Sequence, residues 1–183
     1  MDWLSVVTEE YKTLRNESLA SMQTQQSILR FGTAAIAVVI ATGFNLWEKS
    51  PLPEMVFLLF IPAISYLVLT IWMGEIARMM RAGIFLVKLE EKINKEFGDK
   101  PKALTWENWL RETQHDRKTP QLRWNYYSII FLFFSMAIVS IGIGNYKVWN
   151  TICLSWIVIM DIFEVILFIG IFLFIYKIGK RFK

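Results

Sequence analysis

Thiol and imidazole chemistry have little foothold in this chain, which holds one cysteine, Cys153, and one histidine, His115, among 183 residues. A lone cysteine cannot close an internal disulfide, and Cys153 sits in an apolar run where it reads as a small hydrophobe. His115 has no second His or Cys beside it, so no metal site is expected. A nucleophile elbow, a phosphate-binding glycine loop and clustered His ligands are missing as well. These absences argue against an enzyme, and no cofactor is expected. Lys and Arg are also missing from the interior of every long apolar run, although two carboxylates are not.

What is present is apolar. Hydrophobic residues make up 55% of the chain, and the mean hydropathy is +0.39. A soluble domain of this size could not hide that much apolar surface in one core, so the chain is expected in a bilayer. Eight Trp and fourteen Phe suit a protein whose helix ends rest at a headgroup boundary. Four segments reach the ~20 residues that a spanning helix needs: residues 28–47, 55–73, 124–143 and 149–176. None alternates apolar and polar residues as a barrel strand would, so each is expected to be helical. The fold class is therefore all-α, a polytopic membrane protein with four transmembrane helices in two hairpins plus cytoplasmic helices. No cationic leader or small-residue cleavage pattern precedes the first apolar run, so no signal peptide is expected.

Orientation follows from the cations. The connections 48–54 and 144–147 carry one Lys each, Lys49 and Lys147, leaving the other eighteen Lys and Arg for the N-terminal segment, residues 74–123 and the tail. Both termini are thus expected in the cytoplasm, with the protein in the inner (plasma) membrane. The expected divisions are a cytoplasmic N-terminal helix (1–27), a first hairpin (28–73), a cytoplasmic helical region (74–123), a second hairpin (124–176) and a basic tail (177–183). The cytoplasmic side carries eighteen Lys and Arg against twelve Asp and Glu. That surplus attracts phosphates, but the positive-inside rule alone would also produce it.

Thr8, followed by Glu9 and Glu10, reads as a helix start, and Trp3, Val7, Tyr11, Leu14 and Leu19 recur at roughly helical spacing. Residues 18–27 are polar and uncharged without a breaker, so this helix is expected to run on into the membrane. In an oligomer Gln23, Gln25, Gln26 and Ser27 could line a wet vestibule, or the stretch could simply be a solvated helix. Residues 74–97 form a further helix with Ile76, Met79, Met80, Ile84 and Val87 on one side. Opposite them stand Arg78, Arg81, Lys88, Lys92 and Lys95, with Phe85 an exception on the charged side. A short helix beginning at Thr105 carries Trp106, Trp109 and Leu110. Arg78, Arg81, Trp106 and Trp109 are the candidate surface for a trigger or partner.

Within the first span, Gly32, Ala35, Val39, Thr42 and Gly43 lie along one side, with Ala37 and Ala41 four apart, which suits close helix packing. Pro62 in the second span cannot donate to the Leu58 carbonyl and should bend the helix, as a static kink or as a gating hinge, with Ser65 satisfying part of what is freed. In the fourth span Asp161 and Glu164 share a face with Leu154, Ile157, Val158, Val165 and Phe168. Carboxylates in hydrocarbon are costly. Either they are protonated and bonded to hydroxyls such as Ser65, Thr42, Ser128 or Ser135, or they face water as an acidic ring that favours cations.

Glu10-Tyr11-Lys12-Thr13-Leu14-Arg15-Asn16-Glu17, the Gln-rich entry to the first span, and Leu104-Thr105-Trp106-Glu107 between the hairpins give a layout that resembles small four-span bacterial membrane proteins of antiphage defence operons. The resemblance covers most of the chain. It implies an effector that oligomerises and perturbs the inner membrane when a cytoplasmic sensor or nucleotide-type signal releases it. No ligand-binding residue carries over. The expected function is thus an oligomeric channel or membrane-disrupting effector, with the bilayer and further copies of itself as partners. The alternatives are a non-conducting scaffold that binds a cytoplasmic protein and, third, a proton-coupled transporter.

Overall fold

A computed structural model describes residues 3–48, 52–96, 104–106, 120–149 and 154–181, and among them every regular element is helical. Helix α1 runs Trp3–Asn45, α2 Leu52–Met55, α3 Ile61–Glu96, α4 Pro120–Val148 and α5 Leu154–Arg181. A π-helical turn, Val56–Phe60, joins α2 to α3. Four helical stretches are long and apolar enough to cross a membrane: Trp3–Asn45, Pro53–Glu96, Trp124–Val148 and Val158–Ile178. The fold is all-α, with four candidate membrane spans.

At ~1.5 Å per residue, the 43 residues of α1 rise about 64 Å, roughly twice what a ~30 Å hydrocarbon core requires. No proline interrupts it, and its glycines fall where neighbours press close. Its threonine hydroxyls are kept inside the helix. Thr8, Thr13, Thr24, Thr33 and Thr42 each donate to the carbonyl four residues back, at 2.7–2.9 Å. Thr8 therefore does not start the helix, which is already formed at Trp3.

The chain divides into two compact units, one formed by Met1–Gln26 with Gly74–Tyr126 and the other by Ser27–Met73 with Tyr127–Lys183. In the first, Val7 and Tyr11 of α1 pack with Leu86, Leu89 and Ile93 of α3, and Leu4, Leu14 and Leu104 close over them. Each such aliphatic side chain contributes about 1.5–3 kcal/mol when withdrawn from water. Trp3 and Leu19, expected on the same face, are exposed. On α3, Ile76 is buried as expected, but Met79, Met80, Ile84 and Val87 are only half-buried. The buried seam is rotated toward Leu86, Leu89 and Ile93. On α1 the inward positions 4, 7, 11, 14, 18, 21 and 25 alternate steps of three and four, the 3.5-residue period of paired helices rather than the 3.6 of a lone amphipathic one. Asn94 ties Leu104 to the unit: its amide donates to the Leu104 carbonyl at 2.6 Å and accepts from the Leu104 N–H at 3.0 Å.

In the second unit, glycines set how closely the helices approach. A methyl built on Gly32 would stand 2.5 Å from Val68 Cγ1, one on Gly43 2.8 Å from the Phe57 ring, and one on Gly144 2.6 Å from Leu58 Cγ. Of the small residues expected to pack in α1, Gly32 and Gly43 are buried, whereas Ala35, Ala37, Ala41 and Thr42 are exposed. Phe57 fills the space at Gly43, with ring contacts to Phe44 at 5.0 Å and Trp47 at 5.7 Å.

The π turn resolves the proline differently from the sequence expectation. Ile61 N–H donates to the Val56 carbonyl, five residues back. In that register the group left without a backbone donor by Pro62 is the Phe57 carbonyl, not that of Leu58. Ser140 of α4 supplies the hydrogen bond, its Oγ 2.5 Å from the Phe57 oxygen. Ser65 instead bonds to the Ile61 carbonyl of its own helix at 2.8 Å.

Candidate functional site

The carboxylates of α5 lie nearer a helix end than the apolar run suggested. Trp149 belongs to the turn that closes α4, and α5 begins at Leu154. Counted from Leu154, where α5 begins, Asp161 and Glu164 are seven and ten residues in, or about 10 and 15 Å along the axis. They share a face with Phe168, whose ring meets Phe134 of α4 at 4.6 Å. Val158 and Val165, also expected on that face, are exposed.

Asp161 finds its partner on α4. Asn145 Nδ2 donates to both carboxylate oxygens, at 3.0 and 3.1 Å. Glu164 is only 4% exposed, and both of its carboxylate oxygens are buried without a hydrogen-bond donor, as is Asn145 Oδ1. None of the hydroxyls proposed as partners serves here. Ser65 and Thr42 bond back within their helices, Ser135 bonds to the Leu132 carbonyl, and Ser128 is exposed. Three acceptor atoms on these two residues are thus buried without donors, in a protein where most buried polar atoms find one.

Sequence reasoning missed Asn145 because Gly144-Asn145 looks like a turn.

Beside this cluster, Lys147 donates to the Trp47 carbonyl at 2.5 Å and lies 4.8 Å from the Trp47 ring centroid. Its charge is therefore held against α1. An open cleft of about 450 Å³, lined by Trp47, Asn145, Tyr146, Lys147 and Trp149, gives water a route to Asn145.

The other candidate residues are dispersed. Gln25 is buried and donates to Met79 Sδ at 3.8 Å, whereas Gln23, Gln26 and Ser27 are exposed, so the polar stretch divides between two faces of α1. Ser21, not anticipated, is fully buried and donates to the Glu75 carboxylate at 2.7 Å. Arg78 pairs with Glu17 at 3.1 Å and Glu75 at 3.5 Å, while Arg81 is exposed. Trp106 is half-exposed, with the Arg15 guanidinium 5.6 Å from its ring centroid; Trp109 lies outside the described residues. Pro62 is fully buried, its irregular turn held by Ser140.

Tyr11 donates its phenol hydrogen to Glu90 at 3.1 Å, and Glu90 is fully buried. Burial first, and then the Glu90 carboxylate, push the Tyr11 phenol above its usual 10.0, with Arg15 acting in the opposite sense.

No family model, curated protein or solved structure matches the chain. Function must be argued from the side chains.

Proposed function

We propose that the protein is a homo-oligomeric channel or membrane-perturbing effector of the bacterial inner membrane, with both termini cytoplasmic and its release triggered from that side. The observation that carries this is Glu164: a buried carboxylate in an apolar helix, neither of its oxygens paired. Such a group is costly in a structural helix and useful on an ion path. Self-association is supported by α5, where only 6% of the apolar window is buried and Ile159, Ile162, Ile166 and Phe172 lie open. Antiphage defence enters through the sequence resemblance alone.

Purified protein in liposomes, with cation flux and oligomer size measured together, tests the proposal. Glu164→Gln with Asp161→Asn keeps shape and hydrogen-bonding capacity while removing the negative field. Cation flux should fall with the oligomer intact. Unchanged conductance and selectivity would remove the carboxylates from the path.

A second function is favoured by a separate observation. Trp3, Val6, Leu19 and Met22 are apolar yet 44–49% exposed on α1, and Trp106 is 48% exposed. A cytoplasmic protein docking there would make the chain a non-conducting scaffold. Trp106→Ala should then abolish partner binding and leave insertion unchanged.

A further inference from the structure

We propose that the ion handled at Glu164 is the proton, which reaches it through Asp161. The inference rests on the reading of Glu164 as part of an ion path and names the ion. A metal cation gives up its hydration shell only for several oxygens arranged around it. Among the described residues, no three His, Cys, Asp or Glu side chains gather where a metal ion could be held. A proton needs one oxygen. Glu164 offers two, both buried and without a hydrogen-bond donor, on a side chain that is 4% exposed. An ionised carboxylate withdrawn from water without donor or cation is costly, and such a group neutralises itself by taking up a proton.

The neighbours give the transfer an order. The open cleft reaches Asn145, whose Nδ2 donates to both Asp161 oxygens at 3.0 and 3.1 Å. That amide steadies the ionised form of Asp161, which is only half-buried. Glu164 follows three residues later on the same face of α5, close enough for a proton to pass directly or through one water. Few other charges face it. Asp161 is the group whose charge acts on Glu164, and Tyr66 of α3, itself buried, is a titratable side chain within the field of Glu164. The Tyr66 ring lies 6.0 Å from Phe134 of α4, which meets Phe168, four residues beyond Glu164, at 4.6 Å. From α4 come Phe134 and Asn145, neither of which titrates, while Lys147 is held at the Trp47 carbonyl. In the transfer a proton from water adds to an Asp161 oxygen. That O–H bond breaks as a new one forms on Glu164, and Asp161 recovers its negative charge. The charge that remains is the one Asn145 holds.

The experiment uses the full chain in liposomes, with proton flux read by an internal pH dye and sodium and potassium flux by radioactive tracers. Oligomer size is measured for every variant. Proton flux without sodium or potassium flux is expected. Glu164→Gln should lower it about a hundredfold or more, Glu164→Asp should restore part of it, and Asp161→Asn should slow it less than Glu164→Gln does. Infrared titration in nanodiscs reads the site without transport: one component of the protonated-carboxyl band should titrate in the parent and be missing from Glu164→Gln. If that variant does not assemble, a hydrophobic carbodiimide applied to the parent takes its place. The reagent adds a carboxyl O–H across its C=N bond, so Glu164 should be modified. The two readings fail separately. A titrating Glu164 with no flux of any ion would keep the proton site and dismiss the channel. Sodium or potassium flux equal to that of protons would keep the channel and overturn the proton. Proton flux that survives Glu164→Gln, or a Glu164 that neither titrates nor reacts, would overturn the proton site as well.

Discussion

The Ser140 hydroxyl on α4 completes the hydrogen bonding of the Phe57 carbonyl, in the π turn just before Pro62. Two irregularities that would each be costly alone, a missing N–H and an orphaned carbonyl, are thus joined through a side chain of another helix. Ser140→Ala should destabilise by about 1–3 kcal/mol, the cost of leaving a buried acceptor bare. Pro62→Ala restores a backbone donor, so Ser140→Ala should cost much less in that background. A double-mutant cycle by unfolding in detergent measures the coupling. Simple additivity would show that Ser140 and Pro62 act independently.

Gly32 and Gly142 provide a matched pair. A methyl at Gly32 meets Val68 Cγ1 at 2.5 Å, whereas one at Gly142 meets nothing within 4 Å. Gly32→Ala should lower stability by about 1–3 kcal/mol through overpacking, and Val68→Ala should recover most of that loss. Gly142→Ala should be neutral or slightly stabilising, because alanine is the better helix former. Thermal unfolding of these variants decides it, and equal effects at the two glycines would contradict the packing.

Tyr11 and Glu90 set a response at alkaline pH. Because the phenol is raised above 10.0, the folded chain holds a proton that the unfolded chain begins to lose near that value. Its contribution is therefore complete below pH 10 and declines as pH rises toward the folded-state value. Tyr11→Phe should be less stable than the parent at pH 8, with the difference narrowing above pH 10. A gap that widens with alkalinity would reverse the sign.

Orientation is open to direct labelling. Glu48 and Lys88 are both exposed, and the cation distribution assigns them to opposite sides. In a Cys153→Ser background, Glu48→Cys should react with an impermeant thiol reagent applied to intact cells, and Lys88→Cys only after lysis. The opposite pattern would invert the topology and remove the cytoplasmic trigger.

The four spanning helices are legible in the sequence because their apolar runs are long and lack internal Lys and Arg. The continuity of α1 is legible for a related reason: Ser18 to Ser27 contains neither glycine nor proline. What escaped depends on register. A π turn moves the orphaned carbonyl by one residue, from Leu58 to Phe57, and with it the identity of the serine that answers. Glu164 was found because a carboxylate among Ile, Leu and Phe stands out by itself. Asn145 was not, because a local turn signal hid a residue whose role is set by a helix beyond the connection. The seam of Leu86, Leu89 and Ile93 escaped because the charged positions on α3 are a poor guide to the face that α1 covers.

The inward bonding of the hydroxyls has a consequence for how this sequence can drift. Thr33, Thr42 and Thr70 donate to their own helices at 2.7–2.9 Å, so to a neighbouring helix or a lipid tail they present little more than a valine would. Exchange of threonine for valine at these positions should pass nearly unnoticed, although it alters the polar count of a span. Ser140, Asn145 and Lys147, all on α4, donate instead to other segments of the chain. Distant descendants of this chain should therefore scatter in the composition of α1 and α3 while holding the polar residues of α4 nearly fixed.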